Sequence, residues 1–272
     1  MRFQLDLTKE YGIVLEGGGA RGSYQIGAWK ALREAGIKIR GIAGASVGAL
    51  NGALICMDDL EKAEEIWENI RYSQVIDVDD DVIETVKKLD LKSLDLVKVA
   101  EDAKKILKDK GLDITPLKNL IESVVDEDKI RSSDRELYLT TYSVTDRELL
   151  VLNAKDIPDG EIGDMLLASA YFPAFRNDKL GGKRYLDGGG WNNVPINILL
   201  EHDYKDILVI RIYGLGYDSE RTTEIPEDVH VTHIAPRQDL GGILEFDRTR
   251  ARKNMTLGYY DAKRVLYGLE GR

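Results

Sequence analysis

The stretch IVLEGGGARGSYQIGAWKAL, residues 13–32, constrains the fold of this chain more than any other. An apolar run ends abruptly in three glycines. After Ala20, Arg21 and Gly22 an amphipathic run begins, with Ile26, Trp29 and Leu32 on one face and Gly36 as its stop. A short buried strand passing through bare backbone into a helix is the reading these residues support. The pattern then repeats. IKIRGIAGAS (37–46) alternates like a second strand, and VGALNGALICM (47–57) resumes as an apolar helix. Strand, glycine turn, helix, strand, sharp turn, helix is the order of a parallel sheet with helices packed on its faces.

Beyond Asp58 the texture changes. Up to about Asp134, lysine, aspartate and glutamate interleave with Leu, Ile and Val, as in VIETVKKLDLKSLDLVKVAEDAKKILKDKG (82–111), which predicts surface helices forming an amphipathic cap over the core. A sharper reading makes the segment a lid that faces lipid. ELYLTTYSVTDRELLVLN (136–153) predicts two strands joined by a turn at TDRE. EIGDMLLASAYFPAF (161–175) predicts a helix stopped by Pro173, and DKLGGKRYLDGGG (178–190) a hairpin with glycines at its tip. DILVIRIYG (206–214) and VHVTHIAP (229–236) read as strands, and the tail from Asp247 to Leu269 as helix. Arg248, Arg250, Arg252 and Lys253 in that tail form a charge run of the kind usually found on a solvated face.

The net charge of −10 disfavours long-range attraction to nucleic acid phosphates. Cys56 is the single cysteine, which removes intrachain disulfides and cysteine zinc clusters from consideration and fits a reducing cytoplasm. No apolar h-region opens the chain, and no uncharged apolar run reaches membrane-spanning length, so neither a cleaved signal nor a transmembrane anchor is expected.

Three glycine turns carry the chemistry. GASVG (44–48) fits G-x-S-x-G between a predicted strand and a predicted helix, which makes Ser46 a candidate nucleophile on a tight turn. A serine that forms an acyl-enzyme needs donors for the oxyanion. Gly18 and Gly19, with Ala20 beside them, offer bare backbone N–H groups at a helix start, and Arg21 adds positive potential or fixes the loop. A nucleotide loop fits less well, because GGGARG lacks both the Rossmann spacing and a terminal G-K-[ST]. For the base, Asp187 in YLDGGGWNNVP is the stronger candidate. The order serine, acid, histidine of an α/β-hydrolase also admits Asp187 followed by His230 or His233, whereas His202 follows a helical pattern.

Taken in order, these turns resemble patatin-like phospholipases, the lipid acyl hydrolases with a Ser–Asp dyad. GGGARG (17–22) stands for their G-G-G-x-R-G loop, GASVG (44–48) for G-x-S-x-G and DGG (187–189) for the later D-G-G. ASAYFPAF (168–175) is similar to the Ala-Ser and proline segment before their aspartate. Glu16 loosely matches the acidic or small polar residue that precedes the family's glycines. The resemblance covers about residues 11–200; a weaker similarity to the tail of bacterial members covers 237–266.

The resemblance implies a three-layer α/β/α sandwich with a mostly parallel central sheet. One catalytic domain would span 1–272, with a motif-bearing core at 11–200, a helical cap-like insertion at about 58–134 and a C-terminal helical extension at about 237–272. Ser46 would be the nucleophile and Asp187 its only side-chain partner. Gly17, Gly18, Gly19, Ala20, Arg21 and Gly22 would form the oxyanion hole, and Gly44, Gly48, Gly188 and Gly189 would support the elbow and the aspartate turn. No metal or organic cofactor is implied. The substrate would be a phospholipid, lysophospholipid, acylglycerol or simpler ester, met by a cytoplasmic protein at a membrane surface. Leu50, Leu54, Leu166 and Tyr171 are candidates for the walls of an acyl groove. Two other readings stay open: a Ser–His–Asp esterase, and a lipid- or anion-binding module without turnover.

Overall fold

The computed structural model describes residues 5–77, 111–176 and 178–269. In chain order the elements are β1 (Glu10–Leu15), a 3-10 turn at Gly19–Gly22, α1 (Ser23–Glu34), β2 (Lys38–Ala45), α2 (Val47–Cys56) and α3 (Leu60–Asn69). Then come α4 (Thr115–Val124), α5 (Glu127–Ser132), β3 (Glu136–Ser143), β4 (Glu148–Asn153), α6 (Ile162–Ser169), β5 (Tyr185–Asp187) and α7 (Gly189–Asn192). The chain finishes with α8 (Ile196–Glu201), β6 (Asp206–Ile210), β7 (His230–Ile234) and α9 (Arg248–Leu266). The sheet runs β4-β3-β2-β1-β6-β7. Strands β3, β2, β1, β6 and β7 are parallel, while β4 and β5 pair antiparallel with β3.

Side chains of a strand alternate between faces, and here the alternation divides two cores. Ile13, Leu15, Ile42, Leu137, Leu139, Leu208 and Ile210 join the core that also holds residues of α1, α2, α3, α6 and α9. Val14, Ala43, Tyr138, Ile207 and Val209 face the other way, against Ile196, Ile198 and Leu199 of α8. The result is a three-layer α/β/α sandwich. Each fully buried Ile or Leu stabilises it by roughly 1.5–3 kcal/mol relative to exposure.

Register on β3 decides where the chemistry meets. Ala45, the last residue of β2, pairs with Thr140, and Asp187, the last residue of β5, pairs with Thr141. The two strands thus run along one edge of β3 and abut end to end. Residue 46 and residue 187, far apart in sequence, are brought to neighbouring positions by a shared partner strand.

Helix α9 lies against α1 with no room for side chains at the crossing. A Cβ on Gly27 would sit 1.8 Å from the Met255 carbonyl oxygen, and one on Gly258 would sit 2.0 Å from that of Tyr24. Besides packing on α1, the helical tail contacts β7, the edge strand of the sheet. Of the expected cap, α3 and α4 turn Ala63, Trp67, Leu117 and Ile121 into the main core. The surface helices predicted for 82–111 fall almost wholly outside the described residues.

Two boundaries differ from expectation. The helix after Glu161 ends at Ser169 rather than running to Pro173, because the Tyr171 carbonyl is taken by the Asp187 N–H at 2.9 Å. The strand from Asp206 ends at Ile210 rather than Gly214, because the N–H groups of Ile212 and Tyr213 turn to the Glu16 carboxylate. Among the described residues no helix is long and apolar enough to cross a membrane.

Candidate active site

Ser46 lies between β2 and α2 with φ 54° and ψ −126°, a conformation that L residues rarely adopt. Close packing holds it there. A Cβ on Gly44 would lie 2.5 Å from the Gly48 carbonyl carbon, and one on Gly48 would lie 2.1 Å from the Leu15 carbonyl oxygen. The two glycines of G-x-S-x-G therefore let the first turn of α2 press on the ends of β2 and β1. The Ser46 N–H is held by the hydroxyl of Ser169, buried at the end of α6, at 3.0 Å. Ser169→Ala is expected to leave that N–H unpaired and cost about 1–3 kcal/mol, read as a lowered urea midpoint with an unchanged m-value.

Asp187 closes β5 opposite the elbow. One carboxylate oxygen accepts the Gly189 N–H at 2.8 Å. The Ser46 hydroxyl lies close enough to favour the charged carboxylate. Burial pushes the Asp187 carboxyl up to about 6, against the pull of Ser46 and the Gly189 N–H. Gly188 is needed for close approach, since a Cβ there would meet the Thr140 carbonyl oxygen at 2.3 Å.

The glycine loop passes beside both residues. Its N–H groups divide into two sets. Those of Gly17, Ala20 and Arg21 are turned to the carbonyls of Asn193, Ile243 and Gly18. Among the described residues no acceptor holds those of Gly18 and Gly19, and both residues line the cavity that contains Ser46 and Asp187. Gly22 opens α1, and its carbonyl accepts the Asn51 side-chain amide at 2.9 Å. The Arg21 guanidinium is spent on fixing the loop: it donates to the carbonyls of Gly241, Tyr213 and Ile212. Burial lowers its pKa from the ordinary arginine value.

The cavity, of about 130 Å³, has a polar end at Ser46, Asp187, Asn193 and the two glycines, and its other walls are apolar apart from Asn51. Leu50, Leu54 and Leu166 line it as expected. Tyr171 does not; its neighbours Ala170 and Phe172 do. Helices α3 and α4 contribute Ile66, Trp67, Leu117 and Ile121, which makes the described part of the 58–134 segment a wall of the cavity. Ile243, Leu244 and Phe246 form another wall. That loop is tied down by Asn254 to the Leu240 carbonyl and by Asp261 to Arg237. Nothing in its sequence signals a place at the site.

Other residues at the site went unassigned in the sequence. Asn193 donates to the Gly17 carbonyl at 3.1 Å, and its side-chain oxygen occupies the space a Cβ on Gly17 or Gly189 would fill. Its place in DGGGWNNVP was the available signal. Glu16, buried beside the loop, accepts from Arg211 at 3.0 Å. Arg211 also holds Asp218 at 2.7 Å and Glu220 at 2.6 Å. Among the described residues no group of three His, Cys, Asp or Glu side chains is arranged to hold a metal ion.

The histidines lie elsewhere. His230 pairs with Asp206 at the starts of β7 and β6, the opposite end of the sheet from Ser46. His233 is held by Glu220 at 2.6 Å, and His202 stacks on Tyr138.

The family model for patatin-like phospholipase matches residues 13–200. Lysophospholipase nte1 of Aspergillus terreus is 58% identical over 50 residues, 18% of this chain and 3% of that protein. Neuropathy target esterase sws of Drosophila sechellia is 57% identical over 47 residues, 17% of this chain and 3% of that protein. The matched stretches span only that small share of these relatives' length. The solved structure of VipD from Legionella pneumophila shares the fold, with a TM-score of 0.55 at 15% identity over 94% of this chain and 66% of that one. With the matched region running from β1 through the elbow and the aspartate turn to α8, the chain belongs to the patatin-like phospholipase family.

Proposed function

We propose that this chain is a serine lipid acyl hydrolase that works through an acyl-enzyme on Ser46, with Asp187 as its general base. It would act as one catalytic domain, the 58–134 segment and the 237–246 loop forming walls for an acyl chain. The observation that carries this reading is the placement of Ser46 and Asp187 together at the polar end of a mostly apolar cavity. No histidine lines that cavity among the described residues, which favours the dyad over a triad.

In this mechanism the ester carbonyl lies over Ser46 with its oxygen toward the N–H groups of Gly18 and Gly19. Ser46 Oγ attacks, and Asp187 takes the hydroxyl proton as the C–O bond forms; hydrogen bonds between base and nucleophile commonly tighten only with substrate in place. The glycine donors stabilise the oxyanion. Collapse of the tetrahedral adduct expels the alcohol, which receives the proton from Asp187, and leaves the acyl group on Ser46. Asp187 then deprotonates a water that attacks the acyl carbon, and the proton returns to Ser46 as the fatty acid leaves. A carboxylate of ordinary pKa is a weak base for a hydroxyl, so the upward shift of Asp187 to about 6 lessens the mismatch while leaving it ionised at neutral pH.

Two readouts test the reading. A fluorophosphonate is expected to form a single adduct on Ser46, mapped by peptide mass spectrometry. The labelling rate should rise with pH and level off above an apparent pKa of about 6, because only ionised Asp187 accepts the proton. An unlabelled, folded protein, or a rate indifferent to pH between 4 and 8, would count against the dyad.

A further inference from the structure

The rim beside the polar end of the cavity carries aromatic rings that the proposed chemistry does not use. Trp191 is 40% exposed, Tyr213 is 56% exposed and Tyr217 is 49% exposed. Three backbone contacts gather them. Tyr217 N–H donates to the Gly189 carbonyl, and Asn193 N–H donates to that of Tyr217, which lays the 213–217 loop along α7, the helix that carries Trp191. Gly214 presses on the glycine loop: a Cβ there would sit 1.8 Å from the Gly17 carbonyl oxygen. Between the two tyrosines, Leu215 reaches into the cavity wall. The segments holding the exposed rings are therefore those that border Ser46 and Asp187.

The rings are held in place rather than left loose. Trp191 stacks on Tyr142 with centroids 3.8 Å apart and planes 2° from parallel. The Tyr217 hydroxyl meets that of Thr222 at 3.0 Å. Arg211 stands 5.8 Å from the centre of the Tyr213 ring, with its charge committed to Glu16, Asp218 and Glu220. Exposed Trp and Tyr with a polar tip and an apolar body suit the boundary between water and hydrocarbon.

We infer that Trp191, Tyr213 and Tyr217 form an interfacial rim that seats the cavity mouth on a zwitterionic lipid surface. The inference rests on the lipid-hydrolase reading above. Zwitterionic rather than anionic lipid follows from charge: a chain of net charge −10 is repelled by an anionic leaflet. Docking by the rim would bring a lipid ester to the polar end of the cavity without a transmembrane segment.

The tryptophans provide the test. Of the three in the chain, Trp29 and Trp67 are buried, and Trp191 is the exposed one. Added phosphatidylcholine vesicles are expected to shift the emission of the full chain to the blue, and brominated phosphatidylcholine to quench it. Both effects should vanish in Trp191→Phe, whose remaining tryptophans, Trp29 and Trp67, are buried. Tyr217→Ser should weaken co-sedimentation with the same vesicles about tenfold or more, with hydrolysis of a soluble short-chain ester held within about twofold.

Unchanged emission at saturating vesicle, a shift that persists in Trp191→Phe, or binding confined to anionic vesicles would overturn the rim. So would Tyr217→Ser binding as tightly as the parent. Failure of the hydrolase reading shows separately, as no turnover of the soluble ester by the parent.

Discussion

Asp187→Asn is expected to lower kcat/KM for a soluble carboxylic ester by about 10²–10⁴-fold or more, the range a positioned general base supplies. The amide preserves shape and can still accept the Gly189 N–H, but it can take neither the Ser46 proton on acylation nor the water proton on deacylation. Ser46→Ala should fall further, to the residual rate of a site that binds without a nucleophile. Folding should move the opposite way. Because burial raises the Asp187 pKa from 3.8 to about 6, the charged form is disfavoured in the native state. The parent therefore loses stability as pH climbs from about 4 through 6, and the neutral amide does not. At pH 8 the variant should be at least as stable as the parent in urea while being nearly inactive. Retained activity in Asp187→Asn, with collapse on replacing His230 or His233, would move the base to a histidine.

Arg211→Met is expected to produce the largest loss of stability, about 3–5 kcal/mol at neutral pH, because it leaves the Glu16, Asp218 and Glu220 carboxylates without their shared cation. The Arg211 side chain is 13% exposed and its partner Glu16 is 3% exposed, so solvent cannot replace the lost cation. Burial pulls the guanidinium pKa down, yet Glu16, Asp218 and Glu220 together hold it above the ordinary arginine value. Burial likewise pushes Glu16 up, against the pull of Arg211 and the N–H groups of Ile212 and Tyr213. The sign of the pH dependence follows. Without Arg211 the Glu16 pKa climbs further, so the penalty is greatest at neutral and alkaline pH and shrinks as acid protonates the carboxylate. Arg211→Met with Glu16→Gln should recover part of the loss. A urea midpoint for Arg211→Met equal to that of the parent would show that the cluster does not hold the loop ends together.

Much of the fold was legible because local signals agreed. The runs at 13–15 and 39–45 have the apolar character of strands buried on both faces, and the glycines at 17–19, 44 and 48 punctuate them where helices begin. The turns that present Ser46 and Asp187 were legible for the same reason, since a strained turn and a close backbone approach demand small neighbours that leave a spaced pattern. Boundaries at Ser169 and Ile210 were not, because each is decided by a partner distant in sequence. Tyr171 is bonded by Asp187, and Ile212 and Tyr213 by Glu16.

The same division holds at the site. Sequence alone determined the residue types and the turns that present them, for these depend on steric rules acting over a few neighbours. Only the tertiary structure decided that β2 and β5 end against one another on β3, that the N–H groups of Gly18 and Gly19, unlike those of Ala20 and Arg21, have no acceptor among the described residues, and that Ile243, Leu244 and Phe246 wall the cavity. Each of these is a relation between segments brought together by burial of a shared core, and burial is blind to the order in which the chain supplies its surfaces.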